Sequence, residues 1–136
     1  PKAYSRADMD AFLASALKEM NRHPEKIHRL NQQFLLSMRN NYIVFGPHAF
    51  RKHRSPTDRR SVVNVALFDV FSVLFGRVTE AAVTAAVAEL REVFYGLMDD
   101  HLFMDAVSQS TNSTAKVKTR FERAQRAIGV VLPDVD

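Results

Sequence analysis

Cysteine and tryptophan are absent from this 136-residue chain. Without cysteine there are no disulfides, no thiolate zinc sites and no cysteine nucleophiles. Four glycines and five prolines supply too few turn residues for a many-stranded β-sandwich. No stretch of 18 apolar residues exists and no signal-peptide pattern opens the chain, so the expectation is a protein that is neither membrane-spanning nor visibly secreted, with no membrane partner. A phosphate-binding glycine loop, a GxSxG elbow, a dinucleotide fingerprint and an HExxH pair are all missing as well. No cofactor and no metal are therefore expected, and no catalytic residue is assigned. What is present is ordinary for a folded domain: 46% apolar and 25% charged residues, too apolar for disorder. The length fits a single domain over 1–136 that buries roughly two-thirds of its unfolded surface.

Helical periodicity dominates the chain. Met9, Phe12, Leu13, Ala16, Leu17 and Met20 recur on one face, after Ser5 and Asp8 in a partial capping box, and residues 21–24 end this helix at a proline. Ile27, Leu30, Phe34, Met38 and Tyr42 form the stripe of a second helix that stops near Gly46 and Pro47. Residues 46–60 read as a loop. A third helix over 61–76 is apolar on nearly every side and is expected to pack at the centre, its many valines leaving a strand pair as the alternative. Thr79 caps a fourth helix reaching about residue 99, with Val83, Ala86, Val87, Leu90, Phe94 and Leu97 inward. A short fifth helix holds Phe103, Ala106 and Val107. Ser113 or Thr114 caps a sixth, reaching about residue 132, with Val117, Phe121, Ala124, Ile128 and Val131 as its stripe. The expected architecture is all-α, a compact bundle of five to six helices around a central apolar helix.

The net charge of +4 is concentrated. Arg51, Lys52, Arg54, Arg59 and Arg60 crowd one loop against the single acid Asp58, and Lys116, Lys118, Arg120, Arg123 and Arg126 line the last helix against Glu122. Guanidinium forks on a loop suit phosphate oxygens, which makes Arg51, Lys52, Arg54, Arg59, Arg60, Lys116, Lys118 and Arg120 candidate nucleic-acid or anion ligands, with DNA as a partner. The competing readings are a solvated loop and arginines that pair with acids of an attached domain. Phe45 and Phe50 flank the loop and would anchor it in the core.

Other polar residues offer less chemistry. His48 and His53 are five apart, not the i, i+4 spacing that puts two ligands on one helix face. Asp99, Asp100 and Asp105 with His101 could gather Mg²⁺, or the first two could favour a helix amino end. Asn64, Asp69 and Ser72 interrupt the greasy third helix and must find partners, Asp69 with an arginine of the loop such as Arg51.

Several blocks together resemble one bacterial family. They are Phe45-Gly46, Ala49-Phe50-Arg51-Lys52, Asn64 with Ala66-Leu67-Phe68-Asp69, then Phe103, Ala106, Thr111, Val117 and Arg120-Phe121. The family is the DGQQR-motif domain-of-unknown-function group of GmrSD-type restriction proteins, and the resemblance runs from about residue 34 to residue 128. It departs at Val63 and Val65, where the family has isoleucine and lysine around the asparagine. In that family these blocks follow an amino-terminal ParB-like domain bearing the DGQQR motif, and many members add an HNH-type nuclease domain; neither motif occurs here. The resemblance implies a bacterial, cytoplasmic setting and the carboxy-terminal helical portion of a phage-defence protein, itself without a reaction, supporting a nuclease or nucleotide-handling domain, with the ParB-like domain as partner. Pro1 without a methionine agrees with a fragment or a processed chain, and Phe71, Phe75 and Phe94 are then candidates for an interface with the missing domain. The alternative is a free-standing helical module that binds protein or nucleic acid. A metal-dependent nuclease centred on Asp100 is the remaining reading.

Overall fold

The computed structural model describes residues 4–5 and 8–135. Among them the chain forms seven α-helices: α1 (Met9–Arg22), α2 (Pro24–Phe45), α3 (Val65–Phe75), α4 (Glu80–Ala85), α5 (Val87–Asp99), α6 (His101–Ala106) and α7 (Thr114–Gly129). The fold is the all-α bundle that the periodicity predicts. Side-chain caps fix most of the starts, because each satisfies a backbone N–H that the first turn leaves free. Asn64 accepts from Leu67, Thr79 from Ala82, Asp100 from both Leu102 and Phe103, and Ser113 from Lys116. α2 has no such cap and opens instead on Pro24, whose missing N–H costs nothing there.

Local reading misplaces four boundaries. The cap of α1 is Asp8, which accepts from Ala11, and not Ser5. The third helix begins only after Asn64: Val63 pairs with Arg51 in a single antiparallel bridge, which is all that survives of the strand alternative. The fourth helix divides at Ala86, whose N–H bonds Val83 in a tightened turn before α5 begins. The last helix ends at Gly129 rather than near 132, and residues 133–135 form a 3₁₀ turn that buries Val135.

α3 contributes Ala66, Leu67, Val70, Phe71, Leu74 and Phe75 to the core and packs against α2 and α7. It is not covered on every side, since Val65 and Val73 face water. Phe71, Phe75 and Phe94 are core residues and not a bare interface: they interlock with Phe45 at ring separations of 4.7–6.1 Å.

The α2–α3 contact overturns the predicted stripe of α2. Ile27, Leu30, Phe34 and Tyr42 are exposed, and the buried face is Ser37, Asn40, Asn41, Val44 and Phe45. Asn40 turns inward because Phe75 O, the last carbonyl of α3, and Val78 O just beyond it have no helical N–H to meet them. The Asn40 amide donates to Phe75 O at 2.8 Å and Val78 O at 3.0 Å, and the Asn41 amide to Ser37 O and Phe71 O. Gly76 lets the two helices come this close: a Cβ there would lie 3.2 Å from Gln33 O and 3.1 Å from Ser72 O.

Candidate functional site

Most of the basic loop is tied down by its own cations. After Phe50, whose φ of 60° is a left-handed conformation unusual for a phenylalanine, the chain enters the Arg51–Val63 bridge. The Phe50 ring packs on Phe68 at 4.9 Å, as its position beside the loop suggests. Arg51 donates across the loop to Ser61 O. Lys52 Nζ reaches Ser108 Oγ at 2.7 Å. Arg54 bonds Asp99 Oδ1 and Met98 O, both at 2.9 Å, so its charge lies against the carboxyl end of α5, where the helix dipole favours a cation. Asp58 closes the tip by accepting from the N–H groups of Arg54 and Ser55. Arg59 and Arg60 alone among the eight candidates are exposed and form no hydrogen bond or ion pair among the described residues.

The three candidate cations of α7 are also engaged. Lys116 pairs with Asp105 across the α6–α7 contact, and Lys118 with Glu122 one turn on, at 3.7 Å. Arg120 is only 2% exposed. It donates to Thr111 O at 2.6 Å and pairs with Asp69, so the partner of Asp69 is Arg120 and not Arg51. The spacing carried this signal, because Arg120 stands three residues after Val117 and four before Ala124, on the apolar stripe itself.

The acidic cluster is likewise dispersed. Asp99 holds Arg54, Asp105 holds Lys116, and Asp100 caps α6 while pairing with Arg123. Partial burial alone would raise the Asp100 pKa. The Phe103 N–H and the Arg123 guanidinium outweigh it and hold the carboxyl below its ordinary 3.8. No group of three or more metal-ligating side chains converges among the described residues.

His48 and His53 are both buried and stack at 4.8 Å. His53 Nδ1–H donates to Arg51 O at 2.8 Å, and its ring lies against Phe94 at 4.7 Å, with Phe45 and Tyr95 around it. Burial pushes the His53 pKa below 6.5; His48 and Arg91 add to this, while the Arg51 carbonyl and Asp58 oppose it. The pair is a plug that seats the loop on the core.

A different surface is left open. No residue from 8 to 36 is buried, whereas from Ser37 onward α2 is seated on α3. The start of this arm is held to the body through Tyr4, which donates to Asn112 O and meets Phe12 edge-on at 5.3 Å. Beyond that point α1 and α2 fail to cover each other: Leu13, Leu17, Ile27, Leu30, Phe34 and Leu35 remain 40–56% exposed. Leu30 and Phe34 continue into a groove of about 370 Å³ with Val73 on α3 and Gly76 just after it. The sequence places Leu13, Leu17, Ile27, Leu30 and Phe34 on apolar stripes, with no sign that the stripes lack a partner.

No protein-family model, no functionally characterised protein and no solved structure matches the chain. Among the described residues no helix is long and apolar enough to cross a membrane.

Proposed function

We propose that the chain is a non-catalytic helical module that binds protein through the arm formed by α1 and the first half of α2. The observation that carries this reading is the set of six large apolar side chains left half-open on an arm with no buried residue. A patch of several hundred Å² is about the limit of what a soluble surface leaves to water, and larger ones mark binding sites. Arg51, Lys52 and Arg54 of the basic loop weigh against nucleic acid, because cations already bonded to their own chain are less free to replace counterions on phosphate, which leaves Arg59 and Arg60 as its unpaired cations among the described residues. The test is an environment-sensitive apolar dye titrated onto the dilute chain. Its emission should rise with the native protein and fall sharply in Leu17→Glu/Phe34→Glu. Equal emission from both proteins would sink the reading.

A second reading, as the helical portion of a GmrSD-type restriction protein, draws support from one observation. The residues that carry that resemblance meet one another: Phe50 lies on Phe68, Asn64 Oδ1 accepts from Leu67 N, and Arg120 joins Asp69 to Thr111 O. In this reading Arg59 and Arg60 are the residues available to DNA. Salt-sensitive binding to a labelled duplex that disappears in Arg59→Ala/Arg60→Ala would favour it over the protein-binding module.

A further inference from the structure

Residues 51–63 form a loop pinned at its base. The Asn64 N–H donates to Phe50 O and the Asn64 side-chain amide to Val107 O, both at 2.8 Å, while the Phe50 ring lies on Phe68. Beyond that base, His53 is the only buried residue of the loop, at 6% exposure, and even Val62 and Val63 face water. The other ties to the bundle run from Lys52 to Ser108 and from Arg54 to Asp99 and Met98 O. The Lys52 bond is exposed and so are both side chains of the Arg54–Asp99 pair, a setting in which such contacts hold little. The bonds of Arg51 to Ser61 O, of Ser61 to Lys52 O and of Asp58 to the tip stay within the loop. The loop is therefore anchored by one side chain, and that side chain is of the type whose charge changes near neutral pH.

The seat of His53 suits a neutral ring. Its Nδ1–H donates to Arg51 O, so an added proton goes to Nε2, which meets no acceptor among the described residues. From α2 the ring faces Phe45, and from α5 it faces Phe94, Tyr95 and the cation of Arg91. Burial holds the Tyr95 hydroxyl above its ordinary 10.0, so it stays neutral, and Glu92 lies towards Tyr95. His48 stacks on the other side, itself buried with Nδ1 unpartnered among the described residues. Asp58 is the one acid that favours a charged His53, and its Oδ2 already accepts from the N–H groups of Arg54 and Ser55.

We propose that His53 is a proton-operated latch: a proton gained at Nε2 expels the ring from its aromatic seat, and residues 51–63 lift about the Phe50–Asn64 base while the bundle stays folded. Lifting parts Lys52 from Ser108 and Arg54 from Asp99 and Met98 O. Both then join Arg59 and Arg60, so a loop with two unpaired cations at neutral pH presents four in acid. The helices do not depend on the loop, because Phe45, Phe71, Phe75 and Phe94 keep their contacts with one another. A segment with a single buried side chain belongs to the part of a fold that opens locally.

The test uses the absence of cysteine. Thr57→Cys at the loop tip and Ala88→Cys on α5, both at exposed positions, place two nitroxide labels uniquely. Pulsed dipolar spectroscopy reads their separation at about pH 7.5 and about pH 5, on either side of the ordinary histidine value. One distance should be present at the upper pH. A second population should grow in acid, its ratio to the first rising by up to about tenfold per pH unit, the limit for one proton. Far-ultraviolet circular dichroism should stay native at both values, and the growth should follow the His53 ring titration seen by nuclear magnetic resonance. His53→Phe keeps a ring in the seat but takes no proton, so its single distance should persist in acid. Undiminished acid opening in His53→Phe overturns the proposal. So does protonation of His53 with no change of distance, or opening that comes only with loss of helix. Where His53→Phe is open or unfolded at both values, the coincidence of opening and His53 titration in the otherwise native chain decides.

Discussion

Replacing Asp69 by alanine should break the ion pair that α3 makes with α7, and the size of the loss follows from the geometry. The Arg120 side chain is 3% exposed and that of Asp69 is 41% exposed. Removing the carboxylate leaves a buried guanidinium with Thr111 O as its remaining acceptor and an Nε that has no partner. Stranding one half of a buried ion pair costs about 3–5 kcal/mol. Water can reach the half-open Asp69 side, which brings the expected loss to about 2–3 kcal/mol. For a chain of this length about 3 °C of melting temperature accompanies each kcal/mol, so the midpoint should fall by roughly 6–9 °C. Asp69→Asn keeps an acceptor and should lose about half as much. Arg120→Met in the Asp69→Ala background removes the stranded charge and should recover about 1 kcal/mol or more, the remaining cost being the carbonyl of Thr111. Urea unfolding followed by far-ultraviolet circular dichroism measures all of these, with an unchanged slope as the check that the unfolded state is the same. If Asp69→Ala shifts stability by less than about 0.5 kcal/mol, or if the two substitutions are simply additive, the pair does not join α3 to α7 in the way described.

Two further predictions concern groups that only the tertiary structure exposes to view. His53 has a folded pKa below its ordinary 6.5, so the unfolded chain binds the proton first and the stability contribution is complete above 6.5 and lost as pH falls from there through the folded value. Urea midpoints should therefore drop between pH 7 and about pH 5, and His53→Phe, which keeps an aromatic ring against Phe94, should flatten that drop; an equally steep drop in the variant would refute the assignment. Asn40→Leu should cost about 2–3 kcal/mol by leaving Phe75 O and Val78 O without a donor, while Asn41→Ala should cost less, about 1 kcal/mol, because its shorter bond is to Ser37 O on its own helix. Equal losses in the two urea titrations would show that the α3 end is not what Asn40 serves.

The functional question turns on which charges are free. A sequence gives the density of cations in residues 46–60 but not their partners. Lys52 meets Ser108 and Arg54 meets Asp99 across 56 and 45 residues of chain, distances at which no spacing rule operates. Arg51, Lys52 and Arg54 fasten the loop to its own chain, as the buried His48–His53 stack beneath it does, while Arg59 and Arg60 stay unpaired among the described residues. The arm shows the reverse case. Its apolar stripes are plain in the sequence, yet periodicity reports only that a helix has an apolar face, not whether anything covers it.

What the sequence by itself determined is what short-range physics determines. Helix identity follows from apolar spacing, and the starts at Thr79, Asp100 and Ser113 follow from side chains that reach a backbone N–H two or three residues away. The stripe of α7 from Val117 to Ile128 belongs to the same class. The tertiary structure alone decided that α2 buries Ser37, Asn40 and Asn41 and leaves Ile27 and Phe34 in water. It also gave Asp69 to Arg120 and split the fourth helix at Ala86. The physical reason is common to α2 and the ion pair: a buried polar group must be matched to whatever donor or acceptor the fold brings beside it. Phe75 O and Val78 O exist as unmet acceptors only once α3 has stopped, and α2 turns Asn40 inward to meet them.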